Sequence, residues 1–193
     1  MHHIYHTEGI ILSSRNFGEA GKYYHILTRD LGLVMASAAG VRKMSSKLRF
    51  ILQDFSYLKI DLVKGKDFWR VTSASKTDIL EDLTRKPETF AILANMSRLL
   101  KRLLPGEEFN ENLFTDLVNG LHVLEKADKA EDLRNIEALM VLRILNNLGY
   151  IGDSDALKDF ISSPFVYDLL PEASAKRLHI LSQINKALKE TQL

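Results

Sequence analysis

The segment AGVRKMSSKLRF, residues 39–50, places Arg42, Lys43, Lys47 and Arg49 within eight positions and contains no acidic residue. Cations at this density, on a stretch with a glycine and two serines, suit oxygen-rich anions such as nucleic-acid phosphates. A solvated basic loop is the plain alternative. Other groupings offer less. His2, His3 and His6 could ligate a metal, but three imidazoles at a chain terminus make a weak site and none is expected. DSDALKD, residues 153–159, gathers Asp153, Asp155 and Asp159. It lacks the glycine and glutamate that a Ca²⁺ loop needs at its sixth and twelfth positions, so it reads as a solvated helix start. His25, His122 and His179 have no serine and carboxylate placed by sequence to form a triad, and no phosphate-binding Gly-x-x-x-x-Gly-Lys loop follows any strand. No enzyme is expected.

Composition narrows the field further. The 193 residues are 46% hydrophobic, enough for a buried core, and contain no cysteine. Disulfides, thiolate zinc sites, iron–sulfur clusters and a cysteine nucleophile are thereby excluded. No run of about 18 apolar residues and no signal-peptide pattern is present, so a cytoplasmic protein without a membrane partner is expected. The net charge of +1 hides an asymmetry: residues 1–78 carry +5, and residues 79–193 carry −4. A basic front half suits a polyanion.

The elements that must position these residues follow two periods. TEGIILSS (7–14), KYYHILTR (22–29), LVMASAAG (33–40), DFSYLKIDLV (54–63) and DFWRVTSA (67–74) read as strands, rich in β-branched and aromatic residues and separated by turns at Gly18, Gly21, Gly32 and Gly65. Five strands in so short a span predict a small barrel, with Leu58, Ile60 and Leu62 facing its core. Leu48 and Phe50 read as buried. Tyr23, Tyr57 and Trp69 can stack on bases or fill the core. Beyond residue 77 the period becomes helical. Pro87 opens a helix carrying Phe90, Leu93, Ser97, Leu100 and Leu104, which Pro105-Gly106 stops. Asn110 is positioned to cap a helix with Leu113, Leu117, Leu121 and Leu124. A third helix ends at Gly149, Ser154 caps a short fourth, and Pro171 opens a last one with Leu178, Leu181, Ile184 and Leu188. The expected fold is α+β, with an N-terminal barrel (1–78) followed by an all-α helical domain (79–193).

RKMSSK is similar to the Lys-Met-Ser-Lys-Ser loop of class I aminoacyl-tRNA synthetases, but the parallel sheet that loop requires has no place here. A broader resemblance fits better. Glu8-Gly9-Ile10, Arg15, Gly18-Glu19-Ala20, Thr28-Arg29, Gly32-Leu33, Gly40-Val41-Arg42-Lys43, Ser46 and Leu48-Arg49 sit in the order and spacing of the RecO recombination-mediator family. LLKRLLPGEEFNENLF (99–114) and LRILNNLGYIGD (142–153) resemble two further family segments.

The resemblance implies an OB-fold barrel and a helical domain that bind single- and double-stranded DNA, anneal complementary strands, and help load recombinase onto single strands coated by SSB. RecR and the acidic C-terminal tail of SSB are the implied protein partners. Arg42, Lys43, Lys47 and Arg49 are expected to meet DNA, with Arg15, Arg29 and Arg70 extending the patch. Arg98, Lys101, Arg102 and Arg143 are the cations expected to receive the SSB tail. The four-cysteine zinc module of many members cannot form, so no metal or other cofactor is expected. Phe160, Phe165, Val166, Tyr167, Leu169 and Leu170 are expected to dock by burial, closed over by the leucines of the last helix. A scaffold module that binds protein alone, and an enzyme such as a nuclease or synthetase fragment, are the competing readings.

Overall fold

The computed structural model describes residues 3–77, 81–152 and 155–190. Five strands come first along the chain: β1 (Ile4–Phe17), β2 (Gly21–Thr28), β3 (Gly32–Ala38), β4 (Tyr57–Lys64) and β5 (Trp69–Lys76). They close into a barrel in the order β1-β2-β3-β5-β4, antiparallel throughout except for the parallel β3–β5 pair. This is an OB-like barrel. Inward positions carry Ile11, Tyr24, Ile26, Val34, Ala36, Leu58, Ile60, Leu62 and Trp69, which form one buried cluster. Closure removes the unpaired strand edges that an open sheet of this size would expose. A register shift between Ile11 and Ser13 bends β1, whose first half pairs with β4 while most of its length pairs with β2.

The basic segment leaves β3 and ends in α1 (Leu48–Ile51), a single turn. Phe50 is 66% exposed, contrary to the burial expected of it; α1 turns Leu52 inward instead, to 1% exposure. Helical elements then follow: α2 (Pro87–Leu103), α3 (Glu111–Glu125), α4 (Ala130–Asn147), α5 (Lys158–Ser162), α6 (Leu170–Ala175) and α7 (Arg177–Glu190). Contacts divide the chain into two compact units. The first is Met1–Thr84 with Leu93–Glu111; the second is Arg85–Ile92 with Asn112–Leu193.

In the first unit the barrel gains a helical cover. Ser97 of α2, buried, donates to the Leu12 carbonyl at 2.7 Å. Gly32 sits at φ +70°, and a Cβ there would lie 2.4 Å from the Glu108 carbonyl oxygen. Gly32→Ala therefore combines left-handed strain with a backbone clash and is expected to cost roughly 2 kcal/mol or more. Thermal melting checks this; an unshifted midpoint would contradict it.

In the second unit α4 ends as its sequence suggests. Gly149 adopts φ +78°, its N–H bonds to the Asn146 carbonyl and the Tyr150 N–H reaches back to Leu145, a Schellman cap. The C-terminal part differs from expectation. Pro171 opens α6, which stops at Lys176, and α7 is a separate helix. Its buried stripe is Ile180, Ile184 and Ala187, which puts Leu178 about half a turn away and leaves it 87% exposed. Phe160, Phe165 and Leu170 are buried as expected, whereas Val166 and Tyr167 are 44% and 41% exposed. The Tyr167 hydroxyl is held at the surface by Asp132. Asp153 and the Ser154 cap lie outside the described residues, as does His2. No described helix is long and apolar enough to cross a membrane.

Candidate nucleic-acid interface

Strand register decides which side chains share a face. Arg15 pairs with Tyr23, Tyr23 with Ser37, and Ser37 with Arg70. Directly paired residues point to the same side of a sheet, so Arg15, Tyr23, Ser37 and Arg70 form one row on the outside of the barrel. Arg15 lies over the Tyr23 ring at 5.2 Å. Phe17 and Phe68 flank that ring, with centroids 4.5 Å and 5.1 Å away. These two phenylalanines are 49% and 38% exposed. Next to the row is a shallow groove of about 500 Å³ lined by Ser37, Lys64, Gly65, Lys66, Phe68 and Arg70, with Asp67 its carboxylate. Lys64 is not available to an anion, because Glu107 accepts from it at 2.8 Å and from the Trp69 indole at 2.8 Å.

The basic segment stands at the same end of the barrel. Its turn is made by Gly40 at φ +67° and by the Lys43 N–H bonding to the Gly40 carbonyl. The Arg42 N–H bonds to the Ala20 carbonyl at 2.8 Å, pinning the segment to the β1–β2 turn. That turn follows Phe17, two residues or about 7 Å along β1 from Arg15. Among the described residues none of Arg15, Arg42, Lys43, Lys47, Arg49 and Arg70 has a carboxylate partner. The local field is positive: burial first, then Lys101 and Arg15, hold His25 below the usual imidazole range.

Arg29 does not belong to this group. It follows the other end of β2, six residues or about 20 Å along the chain from Tyr23. Its guanidinium donates to Glu8 at 2.6 Å and 3.1 Å, and the Tyr57 hydroxyl donates to the same carboxylate oxygen at 2.7 Å. The bond from Tyr57, then Arg29, hold the Glu8 carboxyl below its ordinary range against the opposing effect of burial. A depressed carboxylate contributes stability above its unfolded pKa and loses it as pH falls through its folded value. Glu8→Gln should therefore flatten the acid limb of the stability profile below the ordinary carboxylate range. An acid limb identical to that of the parent would contradict the assignment.

The aromatic candidates also sort by structure. Tyr57 and Trp69 are 6% and 3% exposed and belong to the core; of the three, only Tyr23 reaches the outer row. Phe17 and Phe68 were not singled out from sequence, although each stands two positions from a candidate arginine, the spacing of one strand face.

The cations expected to receive an acidic peptide separate in the same way. Arg98 and Arg102 are exposed on α2, and Lys101 donates to Ser13 at 3.1 Å. Arg143 is buried. It donates to Asp116 at 2.8 Å, to the Phe160 carbonyl at 2.8 Å and to the Ser163 carbonyl at 2.5 Å. With Phe165 also against its guanidinium at 4.8 Å, this arginine is structural and leaves the partner-binding set. Among the described residues no group of three His, Asp or Glu side chains could hold a metal ion.

Comparison with known proteins agrees with this architecture. The family description Recombination protein O N terminal matches residues 1–79, and Recombination protein O C terminal matches residues 85–156. A DNA repair protein RecO of Heliobacterium modesticaldum is 33% identical over 147 residues, covering 76% of this chain and 52% of the relative. Its counterpart in Desulfitobacterium hafniense is 30% identical over 148 residues, covering 76% and 52%. That of Thermodesulfovibrio yellowstonii is 31% identical over 152 residues, covering 77% and 59%. The chain thus spans about half the length of the relatives it matches. Matched by both halves of the family description, in sequence order and over its barrel and α2–α4, this chain belongs to the recombination protein O (RecO) family.

Proposed function

We propose that this chain is a DNA-binding recombination mediator in DNA repair, without catalytic chemistry of its own. In this reading residues 1–78 are the nucleic-acid-binding domain and residues 79–193 a helical domain for protein partners. The observation that carries it is the placement, at one end of an OB barrel, of six cations without carboxylate partners among the described residues, beside half-buried Tyr23 and exposed Phe17 and Phe68. Barrels of this kind hold single strands by tracking phosphates with cations while bases stack on aromatic rings. Duplex DNA would use the phosphate contacts and forgo the stacking. Annealing follows physically, since cations that neutralise two strands at once lower their mutual repulsion. Loading of recombinase onto SSB-coated strands, with RecR and the SSB tail as partners, is the fuller activity proposed; Arg98, Lys101 and Arg102 remain the cations for that tail.

Binding of labelled single-stranded and duplex oligonucleotides across a salt series tests this. Affinity should fall steeply with salt for both. Phe68→Ala should weaken single-strand binding by about fivefold, the lower end of the stacking range, and leave duplex binding nearly unchanged. Absence of salt-dependent binding to either form would favour the protein-only scaffold.

A further inference from the structure

The basic end of the barrel also holds a cup that phosphate tracking along the outer row does not use. Its volume is about 340 Å³. Tyr24, Val41 and Leu52 make its floor, exposed by 0%, 2% and 1%, and Lys22, Arg42 and Arg49 stand around it. Two features of this cup have no role in the fold. The first is Tyr24, whose hydroxyl is buried and has no hydrogen-bond partner among the described residues. A hydroxyl taken out of water and left unpaired is destabilising, so a native barrel that keeps one invites a ligand atom at that place. The second is charge. The lining carries three cations and no anion; among the described residues Lys22 reaches only Ser14, at 3.4 Å, and Arg49 turns to the Met44 sulfur.

Three cations and a phenol are a set of donors. Burial first, and the charge of Asp54 second, push the Tyr24 phenol up to about 12, so it remains protonated and can donate at any physiological pH. Asp54 itself does not line the cup. An oxygen-rich anion with several acceptors satisfies every one of these groups, and phosphate is that anion.

We propose that the cup takes a phosphate monoester, and that its source is the terminal phosphate of a DNA strand. The buried floor selects an end. A phosphodiester within a strand carries a nucleoside on both sides and a single charge, and both flanks would have to enter for an oxygen to reach Tyr24. A terminal monoester has one attachment and nearly two charges at neutral pH. Arg42, shared between the cup and the basic segment, would start the departing strand along that segment. This inference rests on the DNA-binding reading, and it adds to that reading a preference for strand ends.

The test uses the full chain and three labelled oligonucleotides of one sequence, with a 5′-phosphate, a 3′-phosphate or hydroxyls at both ends. One phosphate-ended strand should bind about tenfold tighter than the hydroxyl-ended strand, as expected for charge-assisted bonds to a buried donor. In Tyr24→Phe and in Lys22→Gln that advantage should shrink to about twofold or less, while affinity for the hydroxyl-ended strand is retained. Tyr24→Phe removes an unpaired buried hydroxyl and should melt no lower than the parent, so loss of fold cannot mimic the result. Equal affinity for all three strands overturns the proposal and leaves DNA binding standing. Failure of every strand to bind overturns the DNA-binding reading and this source of phosphate together. Inorganic phosphate and thymidine 5′-monophosphate are titrated in parallel. Tyr24-dependent binding of either, with no effect of strand ends, would show that the source named here is wrong.

Discussion

Neutralising Arg42, Lys43 and Lys47 together, each to glutamine, is expected to lower the slope of log affinity against log salt by about two units on single-stranded DNA and nearer three on duplex. The argument is counterion release. Each cation seated on a phosphate frees about 0.7 of a counterion from a single strand and about 0.9 from a duplex. All three side chains are exposed and none has a carboxylate partner among the described residues, so each is available for such a contact. At 0.15 M salt the same arithmetic predicts that single-strand affinity falls about 50-fold, similarly for every sequence, because phosphates carry no base information. Folding should be unaffected, since surface substitutions away from packing usually shift stability by about 0.5 kcal/mol or less. A slope equal to that of the parent would show that the segment does not meet phosphates. Arg29→Gln is the internal control: its guanidinium is committed to Glu8, so its loss should leave the slope unchanged.

Arg143→Ala is expected to destabilise the protein by about 3–5 kcal/mol, the range for removing one member of a buried ion pair. Three acceptors lose their donor at once: the Asp116 carboxylate on α3 and the carbonyls of Phe160 and Ser163 around the end of α5. Among the described residues Asp116 keeps only Asn147, whose Nδ2 donates to it at 2.8 Å. Its side chain is 22% exposed, so water repairs part of the loss but not all of it. For a chain of this length the expected fall in melting temperature is roughly 10 °C. Arg98→Ala and Arg102→Ala, on exposed positions, should each shift it by about 2 °C or less. If Arg143→Ala melted with the parent, the arginine would have no structural role and would return to the candidates for partner binding.

The contrast between these two arginine-containing sites marks how far the chain alone could be read. Arg42 and Arg143 are the same residue type, each in a segment resembling the same family. One is solvent-exposed on a glycine-led turn; the other is clamped between helices. Nothing within a few residues of Arg143 announces this, because its partners stand 27, 17 and 20 positions away. The pairing of Arg29 was illegible for the same reason: Glu8 and Tyr57, 21 and 49 positions distant from their partners in that cluster, meet it only after β1, β2 and β4 close.

What the sequence by itself determined was local. Alternation of period two marked β4, turn glycines separated the strands, Pro87 and Pro105-Gly106 bounded α2, and Gly149 ended α4. Each of these is a preference of the backbone or of a short amphipathic stretch and acts within about one turn or one strand. The basic segment was legible because its four cations fall within eight positions. Only the tertiary structure decided which distant groups became neighbours. The Arg15–Tyr23–Ser37–Arg70 row spans three strand pairings, and a slip of one residue in any of them would turn a member to the opposite face. Leu178 and Phe50 are exposed because neighbouring residues on the same helical turns were buried in their stead. Composition marks a side chain as able to pack or to pair, but register and helix rotation, set by the whole core, choose which of the able residues do so.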